Sequence, residues 1–436
     1  MDLVTRNISV PCVDGVARRY VDLDYAASTP ALQAVADTVE EFLPWYASVH
    51  RGHGYRSLVA MDWFEEARQS VARFVDARDD DVVVFVANTT DATNLLSAAL
   101  TPGSRILGSP AEHHANLLPW RVHRLELLPF TDSPAGLVEA CREALTAGRG
   151  EIRLVALSGA SNVTGEIAPI VELAAVAHEH GAELFVDAAQ LAPHRPVSLA
   201  GSGVDYVAFS GHKLYAPYGS GALVGRREGL RDGEPFRKGG GAATRVGLDG
   251  VQWAEPPARY EAGSPNVVGA VALGAACRAL GAAWPEIVTH ERAIAQRLHE
   301  GLDRIEGLRR LRQWPVSEAL GVASFTLRGY EDDQLATILA AEWAIGVRQG
   351  RFCAHPLVEH LTGASSGRRT ARDRPVGAVR ASTGLGTRPD DVDALVDALR
   401  SVVAEGPRWR YSFAESPDRW SPVPDPRPTP SIRHAA

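Results

Sequence analysis

Short apolar runs alternate with helical patterns through the first two-thirds of the chain, and this alternation leaves few folds open. Residues 80–88 (DDVVVFVAN) are a continuous apolar run ending in a turn, the mark of a buried strand. Residues 89–100 then open with Thr and Asp, which favour a helix start, and continue at helical spacing. Four more β-rich runs follow at 105–110, 151–158, 183–190 and 204–210. Between two of them, 167–182 has Pro near its start, apolar residues at helical spacing and Gly181 at its end, as a crossover helix would. Repeated β–α–β units predict an α/β fold with a mostly parallel, doubly wound sheet. Functional side chains in such sheets gather at the carboxyl ends of strands.

Beyond about residue 280 the texture becomes α+β. Helices are predicted at 284–305, 332–345 and 389–406, and an exposed-edge or antiparallel strand at 322–329. The expected organisation is a large domain over 21–279, a smaller one from 1–20 and 280–406, and a Pro/Arg-rich tail over 407–436 that is disordered or wraps another surface. The polar, basic run 365–375 reads as a loop.

A chain of 436 residues suits two or three domains. Its net charge of −8 offers no basic surface for nucleic acid. Four scattered cysteines (Cys12, Cys141, Cys277, Cys353) without a CxxC pair exclude a disulfide framework and argue against a zinc cluster, so no metal is expected. The apolar stretch near 267–284 is interrupted by Arg278 and falls short of the roughly 20 residues that span a bilayer. With no signal-like start, the expectation is a soluble, cytoplasmic protein that engages no membrane.

Only Lys213 and Lys238 are lysines; every other cationic side chain except histidine is arginine. A GC-rich genome explains the bias, yet arginine cannot form an imine and lysine can. Lys213, in SGHKLYAPYGSGALVG (210–225), follows an apolar strand directly. Asp187 ends another strand, in ELFVDAAQLAPH, and reads either as a helix cap or as the partner of a cationic ring nitrogen, with Gln190 three residues on. Thr89 and Thr90, in VANTTDATN, stand where a helix begins, as ordinary caps or as part of a phosphate site. The paired histidines of AEHHANLLPW are a polar turn, a metal pair lacking a third ligand, or a ring to stack on a flat cofactor. Asn162, in SNVTGE, lies just past a further strand end.

In this order, these pieces closely resemble the fold-type I pyridoxal 5'-phosphate enzymes of aminotransferase class V, and within them the SUF-type cysteine desulfurase and selenocysteine lyase group. The resemblance runs from YVDLDYAASTP, at about residue 20, to about residue 400. It implies that Lys213 binds the cofactor as an imine, Asp187 faces the ring nitrogen, and Gln190 the phenolic oxygen. His113 stacks on the ring, Asn162 lies near substrate and ring oxygen, and Thr90, Ser210 and His212, with Thr89 adjoining, cradle the phosphate. Ser264, in YEAGSPN, stands where relatives usually have Thr reaching a neighbouring subunit's phosphate, which implies a homodimer with shared sites. Arg51, in ASVHRGHGYRS, falls in an N-terminal substrate segment.

Two positions bear on the reaction. Arg380, in VRASTGLG, matches the arginine that holds a substrate carboxylate, for which a planar guanidinium is suited. Cys353, in GVRQGRFCAHPL, matches the cysteine that attacks substrate sulfur, and Arg348, Arg351 and His355 are expected to favour its thiolate. Arg351-Phe352 and His355 depart from the group's usual His-His and Gln, and the linker from Cys353 to Arg380 is long. The resemblance implies release of sulfur from L-cysteine, or of selenium from L-selenocysteine, leaving L-alanine, with delivery of the sulfur to an acceptor protein for iron–sulfur cluster or thio-cofactor synthesis. A C–S lyase, an epimerase or an aminotransferase on the same scaffold stays open, as does a sulfur donor of specialised metabolism.

Overall fold

The structure is a computed structural model and describes residues 1–5, 8–231, 233–364, 370, 376–415 and 418–429. The chain forms two compact units. The first comprises Met1–Val4, Ala26–Glu291 and Arg312–Leu320; the second comprises Thr5–Tyr25, Arg292–Leu311 and Gly321–Ala436. Against the expected boundaries, 1–4, 280–291 and 312–320 fall in the first unit, and 21–25 and the tail fall in the second.

In the first unit the chain runs β1 (Asp81–Val86), α1 (Thr89–Ala99), β2 (Arg105–Gly108), β3 (Arg124–Leu127), β4 (Ile152–Ser158), α2 (Ile170–Glu179), β5 (Glu183–Asp187), β6 (Tyr206–Ser210), β7 (Gly221–Arg226) and α3 (Val267–Gly281). The seven strands lie in the order β1-β7-β6-β5-β4-β2-β3. All neighbours pair parallel except β7, which is antiparallel to both β1 and β6. The mostly parallel sheet is therefore as expected, with one reversed strand hidden in the glycine-rich stretch after Lys213. Its core joins Leu95 and Leu96 of α1 to Leu154, Phe185, Tyr206 and Leu223 of the sheet. Each such side chain contributes about 1.5–3 kcal/mol on burial.

The register fixes what matters next. Ser158 of β4 is paired with Asp187 of β5, at the carboxyl ends of both strands. β6 ends at Ser210 beside them, and Gly211 follows. A Cβ on Gly211 would stand 2.8 Å from the Ser220 carbonyl and 2.9 Å from that of Ala216, so the turn that carries Lys213 packs backbone against backbone.

In the second unit come β8 (Leu308–Arg310), β9 (Val322–Leu327), α4 (Asp332–Trp343), β10 (Arg348–Gly350), α5 (His355–Thr362), β11 (Ala378–Ser382), α6 (Pro389–Glu405), β12 (Tyr411–Ala414) and β13 (Arg419–Pro422). Four of these strands make an antiparallel sheet in the order β8-β9-β11-β10. The run 322–329 is thus antiparallel but not an exposed edge: β9 is flanked on both sides and nearly wholly buried. Its apolar alternation was masked because both faces are covered.

The described part of the tail packs against α4. Residues 411–422 form the hairpin β12–β13, with the Phe413 and Trp420 rings 5.9 Å apart. Glu342 of α4, buried, accepts hydrogen bonds from the Arg408 and Trp409 amides and the Tyr411 hydroxyl, at 3.0, 3.2 and 2.9 Å. One buried carboxylate thereby anchors a segment whose composition shows no period. The basic run 365–375 lies outside the described residues except for Thr370. Among the described residues no single helix is long and apolar enough to cross a membrane.

Candidate active site

Three adjacent strand ends gather the polar side chains of the first unit. Asp187, at the end of β5, is 5% exposed. Burial pushes its carboxyl up from the ordinary range; the Ala189 amide, donating at 2.9 Å, and the charge of Lys213 oppose that. Gln190, also buried, donates from Nε2 to the Ala26 carbonyl at 2.7 Å, which holds the amide in the same pocket of backbone. Lys213 is half-buried in the turn after β6. The His212 carbonyl there accepts from the Thr29 amide at 2.8 Å and from the Ser28 and Thr29 hydroxyls at 3.1 Å. Burial and the Lys213 charge both lower the His212 imidazole's pKa.

The first turn of α1 faces Ser210. The Thr89 amide donates to Ser210 Oγ at 2.8 Å, and the two hydroxyls lie 2.8 Å apart. Asn88 caps the helix by accepting from the Asp91 amide at 3.0 Å. Thr90 is exposed beside them. Helix amides and hydroxyls so placed favour an anion. Asn162 is buried past the end of β4.

His113 opens a short turn, and its Nδ1 accepts from the Ala115 amide at 3.0 Å. The neutral ring therefore carries its proton on Nε2. Neighbouring Glu112 was not singled out in the sequence. Its carboxylate accepts from the Ser158 amide at 3.0 Å, the Ser158 hydroxyl at 2.5 Å and Asn116 Nδ2 at 2.7 Å, while Asn116 accepts from Trp120 Nε1 at 2.9 Å. This chain of bonds ties the His113 turn to the residue paired with Asp187. Burial, only partly offset by those donors, pushes Glu112 up to about 7. The signal available was an acid directly before the paired histidines.

The second unit holds the other two positions. Arg380, on β11, is 3% exposed, and its Nη2 lies 3.3 Å from Asp24 Oδ1. Arg348, opposite Arg380 in the β10–β11 register, reaches the other Asp24 oxygen at 2.9 Å. Burial brings the Arg380 guanidinium down to about 10, against the pull of Asp24 and of the nearby Cys353 thiol, so it stays protonated at neutral pH. Asp24, within the quoted YVDLDYAASTP, was not assigned a role from the sequence.

Cys353 is exposed, whereas Cys12, Cys141 and Cys277 are buried. Burial raises the thiols of Cys141 to about 12 and of Cys277 further. The cationic cluster expected around Cys353 is partly engaged elsewhere: Arg348 pairs with Asp24, and Arg351 with Glu359 at 2.5 Å. Arg51 and Ser264 are exposed, and no hydrogen bond or ion pair among the described residues joins either to the group around Lys213.

Comparison with known proteins accounts for this arrangement. The chain is 34% identical to a probable cysteine desulfurase of Halalkalibacterium halodurans over 395 residues, covering 88% of this chain and 93% of that one. It is 35% identical to a cysteine desulfurase of Dickeya dadantii, covering 87% and 91%. Among solved structures, the apo cysteine desulfurase of Thermococcus onnurineus superposes with a TM-score of 0.78 at 31% identity, covering 88% of this chain and 94% of that one. The Escherichia coli cysteine desulfurase CsdA gives 0.75 at 32%, with the same coverage. The aminotransferase class-V model matches residues 21–395, a span that takes in the strand ends, the Lys213 turn, Cys353 and Arg380 alike. With nearly its whole length matched in both sequence and fold, this chain belongs to the class-V aminotransferase family, whose enzymes depend on pyridoxal phosphate.

Proposed function

We propose that the chain is a pyridoxal-phosphate-dependent cysteine desulfurase that converts L-cysteine to L-alanine and carries the sulfur as a persulfide on Cys353. The observation that supports this most is the state of the thiols: of four cysteines, only Cys353 is exposed, and it lies close enough to buried Arg380 to bear on its charge. A lyase, an epimerase or a transaminase has no use for a thiol so placed.

The residues present fit the cofactor. Asp187 is a buried carboxyl held above its ordinary range, a cost that a cationic ring nitrogen would offset. Thr89, Thr90, Ser210 and His212 border a helix N-terminus suited to a phosphate, Gln190 and Asn162 offer amides, and His113 offers a neutral ring. When bound, the cofactor serves as an electron sink for the substrate's α-carbon.

The chain's own groups do the rest. Lys213 Nζ would hold the cofactor, and the same amine is placed to take the substrate's α-proton. Asp187 stays ionised opposite the ring nitrogen. Arg380 holds the substrate carboxylate by paired N–H donors, with Asp24 steadying the guanidinium. The Cys353 thiolate attacks the substrate's sulfur; a sulfur–sulfur bond forms, the carbon–sulfur bond breaks, and its electron pair with a proton goes to the β-carbon. L-Alanine leaves and Cys353 keeps the sulfur.

The same reading includes selenocysteine as a second substrate, a sulfur-acceptor protein, a reducing cytoplasmic setting that suits an exposed thiol, and a homodimer. The exposed Ser264, and the hairpin whose Val246 and Leu248 stand in solvent, support a second copy of the chain. Arg51 is assigned to the substrate's approach. The test is to load the protein with pyridoxal phosphate and supply L-cysteine with a thiol reductant. Equimolar sulfide and alanine, lost in Cys353→Ala, are expected; pyruvate and ammonia, or indifference to the substitution, would sink the reading.

A further inference from the structure

The loop that carries Cys353 is strained. Phe352 and Cys353 are successive non-glycine residues with φ of 49° and 54°, in the left-handed region. Such a pair persists only where its surroundings hold it. Two contacts do so. Arg351 is pinned to α5 through Glu359, and its carbonyl accepts from the Ala354 amide at 2.9 Å, closing the turn. The ring of Phe352 lies under the Arg380 guanidinium, with Cζ 5.0 Å from the ring centroid. Phe352 is 9% exposed while Cys353, the next residue, is exposed, so the left-handed step turns one side chain inward and the other out.

Arg380 is itself fixed. Its backbone lies in β11 between β9 and β10, and its side chain is held by Asp24. A cation over an aromatic face in a desolvated place is attracted by the ring's quadrupole. Phe352 thereby transmits the position of one functional group to the next residue along the chain.

We propose that Phe352 is a positioning residue that ties the Cys353 loop to the Arg380 guanidinium, so that the thiol and the carboxylate grip are set as one piece; the proposal deepens the desulfurase reading and takes from it the roles of those two residues. The contact requires an aromatic face, not merely bulk. Substrates that present a carboxylate to Arg380 then meet a thiol already in register.

Alkylation of Cys353 tests this on the full-length protein without cofactor turnover. Iodoacetate carries a carboxylate and iodoacetamide does not; their rates are compared by following the Cys353 peptide, the buried Cys12, Cys141 and Cys277 serving as controls. Wild type is expected to favour iodoacetate relative to free cysteine. Phe352→Ala and Phe352→Leu are expected to lose that preference by about fivefold, while Phe352→Tyr keeps it. The KM for L-cysteine rises in the first two and not in Phe352→Tyr, with the bound cofactor's absorbance unchanged in all three. A wild type with no preference, Phe352→Ala and Phe352→Leu with the wild-type ratio, or Phe352→Tyr as altered as Phe352→Ala would overturn the proposal. Loss of desulfuration in wild type with the preference intact would instead fault the desulfurase reading alone.

Discussion

The groups around Lys213 and those around Arg380 are built on opposite plans. In the first unit, Asp187, Ser210 and the Lys213 turn stand at the ends of neighbouring strands, buried, with backbone donors and acceptors fixing them. In the second, one buried guanidinium lies over the Phe352 ring, and the next residue along that strained loop is the exposed Cys353. A site that holds a covalently bound cofactor gains from rigidity and exclusion of water. A thiol that must pass sulfur onward has to be accessible, and its position is then fixed by a few specific contacts. Rigidity is thus distributed by task within one chain.

Four substitutions probe that contrast. On the proposed reading Lys213→Ala removes both the attachment point and the proton carrier; desulfuration should fall on the order of 10³–10⁴-fold, measured by alanine release, with Cys353 alkylation unaffected. Equal damage to both readouts would erase the distinction.

The second concerns the cost of burial. Glu112 is held at about 7 mainly by burial, above the ordinary glutamate value of 4.5. Between those pH values the folded chain keeps a proton that the unfolded chain has released. The folded state therefore binds more protons, and stability falls as pH rises through that window. Glu112→Gln, neutral throughout, should remove about 3 kcal/mol of that fall, read from denaturant midpoints at several pH values. An unchanged slope would mean that Glu112 is ionised across the whole window.

Arg380→Ala should lower kcat/KM for L-cysteine by about 10–100-fold through loss of charged hydrogen bonds, with the cofactor's visible absorbance retained. A lost chromophore would show that the two groups are not separable. Ser210→Ala gives the smallest effect. It frees the Thr89 amide and should weaken pyridoxal phosphate binding by about fivefold, measured by titrating the apoprotein, without changing Cys353 reactivity.

The same contrast explains what could be read in the residues. The parallel sheet was legible because β1, β4, β5 and β6 are apolar runs, and β4, β5 and β6 end in the polar residues Ser158, Asp187 and Ser210. Lys213 stood out in a chain with one other lysine. Glu112 and Asp24 were passed over because their work is to hold other side chains, which no local pattern reports. β7 was hidden in a Gly-rich stretch, and the tail hairpin was illegible because its anchor, Glu342, lies on α4, far away in sequence. The pairing of Arg348 and Arg351 with carboxylates was likewise a matter of tertiary contact, while the strain at Phe352 and Cys353 is written in backbone angles and not in composition.

The central claim is that sulfur leaves L-cysteine through Cys353. The most direct measurement is the mass of the Cys353 peptide after the cofactor-loaded protein meets one equivalent of L-cysteine without reductant. The account predicts one added sulfur atom on that peptide, removed by a later thiol, with an equal amount of L-alanine in solution. Alanine formed at the full rate with Cys353 unmodified, or sulfur found on another cysteine, would contradict it.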